Sequence, residues 1–204
     1  MKQLIRDGLS IRLGLFSSLA ALGATTSLHA SVAVQWSSAV GGNDHWYMCF
    51  RFATPVDWYV AKSIAESWGG YLATITSAGE NQFVYDLSVS QGGWNPDHPV
   101  QGPYLGAVKN SSNQFEWVTG EAFTYTNFLP GEPSSGLWEP YLAFIGGGPG
   151  TSLPNPYWND TEFVPGYGPQ ISAMFEFNTA PVPSPGVIAL AGLAGLIRSR
   201  QRFG

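Results

Sequence analysis

A chain of 204 residues with 44% apolar and 14% aromatic content carries enough apolar surface for one folded domain and argues against wholesale disorder. Six of the nine basic residues (Lys2, Arg6, Arg12, Arg198, Arg200, Arg202) lie in the two ends, so the formal charge of −5 hides a middle with three basic and 13 acidic residues, net −10. Such a surface repels phosphate backbones, which argues against nucleic acid as a partner and is compatible with cations. The single cysteine, Cys49, excludes an internal disulfide and reads as a small buried apolar residue.

Residues 1–33 have a basic start, an apolar segment over 13–22 and small residues at Ala30 and Ala33, the layout of an export signal. The mature chain is expected to begin between Ala30 and Val34. The domain is expected over 34–180. Its first strand is the aromatic run 45–52. Thr54-Pro55-Val56-Asp57 announces a helix, with Thr54 as cap, Pro55 in the first turn and Asp57 at the acidic position of a capping box. Trp58, Ala61, Ile64, Ala65 and Trp68 share one face of that helix, and Gly69-Gly70 stops it. A short extended piece follows at 71–75. Ser77 to Glu80 is a second capping box, opening a helix with Phe83, Val84 and Leu87 on its apolar side and ending at Gly92-Gly93. Strands are expected at 104–108 and 115–118, joined by a polar turn over 110–113, and the last strand at 171–177.

Between them lies a long Gly- and Pro-rich stretch, 130–160, with one short strand at 141–145 and irregular backbone over 146–156. Glu132, Ser134, Glu139, Asn159 and Asp160 place carboxylate, hydroxyl and amide oxygens there, the donor set of Ca²⁺, which takes roughly six to eight oxygens. Asn159-Asp160 alone reads as a polar turn before Phe163, and the upstream acids Glu132 and Glu139 turn the balance toward ligands. Glu116 and Glu121, the one pair to test as an acid/base couple, flank a hairpin turn and read as solvated surface acids, so no enzyme is expected.

These pieces together resemble the C-type lectin-like domain. The passage Ala65-Glu66-Ser67-Trp68-Gly69-Gly70-Tyr71-Leu72-Ala73-Thr74-Ile75 with Ser77 and Glu80-Asn81 is similar to the family's first-half signature. Tyr104-Leu105-Gly106 stands at its Trp-Ile-Gly-Leu strand and Trp117-Val118-Thr119-Gly120 at its Trp-x-x-Gly turn. Glu132-Pro133-Ser134 occupies the Glu-Pro-Asn position, Glu139 the downstream acid, and Trp158-Asn159-Asp160 the Trp-Asn-Asp position. The resemblance implies an α+β fold, two helices packed on small antiparallel sheets with a long Ca²⁺-binding loop, and a cis peptide before Pro133. It also implies a carbohydrate-binding function in which Glu132, Ser134, Glu139, Asn159 and Asp160 hold Ca²⁺ and the sugar hydroxyls together. Two departures stand out: Ser134 replaces the Asn of sugar-binding members, and the family disulfides are absent. The loop is then expected to be held by Trp138, Tyr157 and Trp158 or by the ion. An alternative is an adhesion module that binds protein without sugar.

The tail, 181–204, runs from Pro181-Val182-Pro183-Ser184-Pro185-Gly186 through an apolar segment at 187–197 to an arginine-rich end. The segment is short for a spanning helix, which needs roughly 20 apolar residues. Its layout resembles the PEP-CTERM sorting signal of Gram-negative bacteria, which implies an exosortase as partner and a destination at the cell surface or in the extracellular matrix. A weak membrane anchor is the alternative.

Overall fold

The computed structural model describes residues 32–96, 101–147, 154–162 and 170–181, so the export segment up to residue 31 and the sorting segment from residue 182 lie outside the described residues. The strands β1 (Val34–Gln35) and β2 (Trp46–Arg51) lead to helix α1 (Trp58–Ser67), strand β3 (Tyr71–Leu72) and helix α2 (Ala78–Ser90). There follow β4 (Gln101–Lys109), β5 (Phe115–Trp117), β6 (Tyr141–Gly146), β7 (Pro154–Thr161) and β8 (Ser172–Phe177). The two helices and the strands form the expected α+β arrangement. One sheet runs β1-β2-β8-β4-β6-β7, with β3 also on β8 and β5 on β4. All pairings are antiparallel except β4 with β8. The antiparallel ladder from Trp46↔Phe177 to Arg51↔Ser172 ties the first long strand to the last and closes the domain.

Alternation along the strands sends side chains to two apolar layers. Tyr104 joins Trp58, Phe175 and Ala143 in one, while its neighbour Leu105 joins Trp117, Leu142 and Trp158 in the other. α1 buries Trp58, Ala61 and Ala65, the face expected from its spacing. Its cap differs from expectation: Asp57, not Thr54, is the N-cap, and its carboxylate accepts from the Val60 N–H at 2.8 Å. A carboxylate caps as well as a hydroxyl and suits the helix dipole, so the helix starts three residues later. At α2 the Ser77 hydroxyl accepts from the Glu80 N–H as expected, but Glu80 reaches one residue further back, accepting from the Thr76 N–H at 2.7 Å and from the Tyr47 hydroxyl at 2.6 Å. The capping acid is thereby buried and ties α2 to β2.

The largest difference is β7. Residues 154–156, expected to be irregular, join Tyr157 to Thr161 in a strand paired with β6 over Tyr141↔Thr161 to Phe144↔Trp158. Two prolines and few apolar residues gave the segment no strand signature, and pairing with the apolar β6 overrides that weak local preference. The loop therefore returns to the sheet before its expected ligands, and Asn159 and Asp160 lie on a strand.

Candidate functional site

Asp160 is completely buried. Its Oδ2 accepts from the Lys109 ammonium at 2.7 Å and from the Ser135 N–H at 3.2 Å, while Oδ1 accepts from the Ser134 N–H at 3.1 Å. Burial pushes the Asp160 carboxyl up, but Lys109 and the two N–H groups outweigh it and hold it below the usual carboxylate range. Lys109 ends β4, and its side chain is 1% exposed. Its ammonium also donates to the Gly136 carbonyl in the loop and lies 5.2 Å from the centre of the Phe115 ring. An ammonium this deep is tolerable only because a carboxylate, a carbonyl and an aromatic face replace its water.

Ser134 faces this group through its backbone, and its hydroxyl lies 3.5 Å from that of Ser135. The Glu132–Pro133 peptide is cis, as the resemblance implies. Burial, opposed by the Ser134 side chain and reinforced by the nearby charges of Asp160 and Glu139, raises the Glu132 carboxyl above its ordinary range. Glu132 Oε2 is buried and accepts no hydrogen bond among the described residues.

Glu139 and Asn159 also share a cleft, of about 140 Å³, with Gln101, Thr161 and Gln170, whose side chains hydrogen-bond to one another. Consecutive strand residues leave opposite faces of a sheet, so Asn159 and Thr161 share this side while Asp160 points to the other. Asn159 Oδ1 is a second buried acceptor without a donor among the described residues. Of the five oxygen-bearing residues expected around one ion, Asp160 is held by Lys109 and the Ser134 and Ser135 N–H groups, Glu139 and Asn159 line the cleft, and Glu132 lies close enough to both Asp160 and Glu139 to feel their charges.

Calcium bonds its oxygens at about 2.3–2.6 Å. An ion on Asp160 would therefore sit within about 5 Å of the Lys109 ammonium, where a dication and a monocation repel by roughly 6–8 kcal/mol at an effective dielectric of about 20. Both Asp160 oxygens are also already bonded within the chain. Among the described residues no group of three or more His, Cys, Asp or Glu side chains is placed to hold a metal ion. The calcium cage expected from the resemblance does not fit the geometry at Asp160.

Trp158 anchors the loop as expected. It is fully buried, its indole N–H donates to Asn81 Oδ1 at 2.7 Å, and Trp117, Phe123, Tyr125 and Phe128 pack around it. Trp138 and Tyr157 do not share that role, being 84% and 40% exposed. Trp138 borders an open cleft of about 400 Å³ with Tyr59, Leu137, Tyr141, Asp57 and Glu162. Lys109 is the residue that sequence reasoning missed. Its signal was its isolation: of the three basic residues in the central stretch, Lys62 has Glu66 four positions on, while Lys109 ends an apolar strand with no acid nearby in the chain.

No protein-family model and no curated protein sequence matches the chain. Solved structures do resemble it in fold. Herring type II antifreeze protein superposes with a TM-score of 0.51 at 19% identity, covering 69% of this chain and 93% of its own. A Ca²⁺-dependent type II antifreeze protein in its Ca²⁺-free form gives a TM-score of 0.50 at 18% identity, with 66% and 92% covered, and human lithostathine 0.50 at 17%, with 65% and 92% covered. The fold of this chain, with its paired terminal strands, two helices and long loop, is the C-type lectin-like fold.

Proposed function

We propose that the protein is an exported, surface-directed lectin-like module that binds carbohydrate on the loop face. The observation that carries this reading is the polar cleft lined by Glu139, Asn159, Gln101 and Gln170, with the exposed indole of Trp138, the residue before Glu139, bordering the second cleft. A saccharide offers hydroxyl groups to the polar lining of this cleft and an apolar ring face to an exposed indole. The acids Glu116 and Glu121 are exposed and bonded to Asn110 and Thr119, so hydrolysis has no support from this pair. The hydroxyls are met by side-chain oxygens, and no calcium is assigned to the contact.

A glycan array probed with residues 34–180 tests the reading. Binding to a defined glycan class is expected, reduced at least tenfold in Trp138→Ala and Glu139→Gln proteins that melt like the parent. Absence of any glycan signal, or binding indifferent to both substitutions, would refute it.

A second reading, an adhesion module for protein, is favoured by the apolar side chains exposed around the larger cleft, Trp138, Leu137 and Tyr59. Capture of a purified surface protein by a chain that ignores glycans would select it. In both readings residues 1–33 direct export and 181–204 act as a PEP-CTERM-like signal for exosortase processing, expected to yield a surface product with both ends trimmed.

A further inference from the structure

We infer that Lys109 is the cation of the long loop: its ammonium takes the place against Asp160 that a divalent ion would hold, so the loop is closed by the chain itself and does not require calcium. The ammonium bridges the two limbs of the loop, the Gly136 carbonyl on one and the Asp160 carboxylate on the other, from a strand that precedes both. Asp160 completes the closure by accepting from the N–H groups of Ser134 and Ser135. The connection is further fixed by the Lys109 N–H, which donates to the Pro140 carbonyl at 2.8 Å. A metal ion gathers oxygens from separated segments onto one positive centre, and here a tethered positive centre gathers a carbonyl and a carboxylate from the same separated segments. The lysine also excludes the ion, because a second cation at Asp160 would face an ammonium that cannot leave its strand. This inference concerns loop closure and is independent of whether saccharide is the ligand.

The test uses residues 34–180 and needs no glycan. Thermal melts of the parent in excess EDTA and in millimolar CaCl₂ are expected to coincide, and chymotrypsin, which has Leu137, Trp138 and Tyr141 as cut sites there, is expected to cleave the loop at the same rate in both. A midpoint raised several degrees by calcium and lowered by chelator, or faster cleavage within 130–160 in EDTA, would overturn the inference. Lys109→Met, close in length but uncharged, is expected to lower the midpoint by several degrees and to expose the loop to protease. Lys109→Arg, which keeps the charge, is expected to retain more of both. A Lys109→Met protein that melts and resists protease like the parent would also overturn it. If that variant cannot be obtained folded, the chelator and protease arms on the parent decide alone.

Discussion

Glu176 shows how far one side chain can depart from its solution chemistry when the fold encloses it. It lies on β8, 2% exposed, and accepts from the Thr74 N–H, the Tyr47 and Tyr71 hydroxyls and, at 2.6 Å, shares a hydrogen bond with His45 Nδ1. Burial raises its carboxyl to about 7, against the ordinary 4.5, with Glu80 adding to the rise and His45 and Thr74 opposing it. The folded chain therefore binds this proton more tightly than the unfolded chain does. The resulting stability is fully present below about pH 4.5 and is lost as pH rises through about 7. A difference of about 2.5 pK units corresponds to roughly 3 kcal/mol. Urea unfolding from pH 4.5 to 8 should show this decline in the parent and a flatter profile in Glu176→Gln, which keeps the shape and cannot ionise. Parallel profiles for the two proteins would mean that Glu176 does not titrate in this range.

At the scale of single elements, helix starts and chain crossings give the sharpest expectations. Asp57→Ala removes the carboxylate that caps α1 and should cost about 1 kcal/mol in denaturant unfolding. Gly106 is more demanding, because its N–H donates to the Ala73 carbonyl and an added Cβ would lie 2.2 Å from the Leu72 carbonyl oxygen. Gly106→Ala must push β3 and β4 apart and should cost about 1–3 kcal/mol or more, well beyond the helix cap. These two cases also explain what could be read from the sequence. Helix faces, glycine stops and the strands β2, β4, β5, β6 and β8 follow from local spacing and composition, which the fold leaves intact. β7 does not, since its strand character comes from β6, a partner that no local window contains. The site divides in the same way. The positions of Glu132, Glu139, Asn159 and Asp160 in the chain were legible, whereas Lys109 meets Asp160 across 51 residues and could be paired with it only by the fold.

On the scale of the whole molecule, the question is what holds a long loop and a two-layer core without a covalent link. Cys49 is the one cysteine of the chain, so no intramolecular disulfide can form, and it is fully buried on β2. Burial pushes its thiol up to about 12, with the Ser172 side chain and Arg51 opposing, which keeps it in the unreactive neutral form. An ideal Cβ on Gly93 would lie 2.3 Å from its sulfur, so the loop after α2 packs directly against it. The thiol can then meet a reagent only when β2 separates from β8 or α2. Because β2 joins the first and last parts of the domain through six residue pairs, such an opening amounts to loss of the domain. Labelling of Cys49 by a water-soluble thiol reagent should therefore be slow in native buffer. Its rate should rise with denaturant along the slope of global unfolding, and the melting midpoint should be the same with and without reductant. Rapid labelling of the native protein, or a rate independent of denaturant, would locate a local opening at β2 and would show that the terminal strand pair is not the seal of the fold.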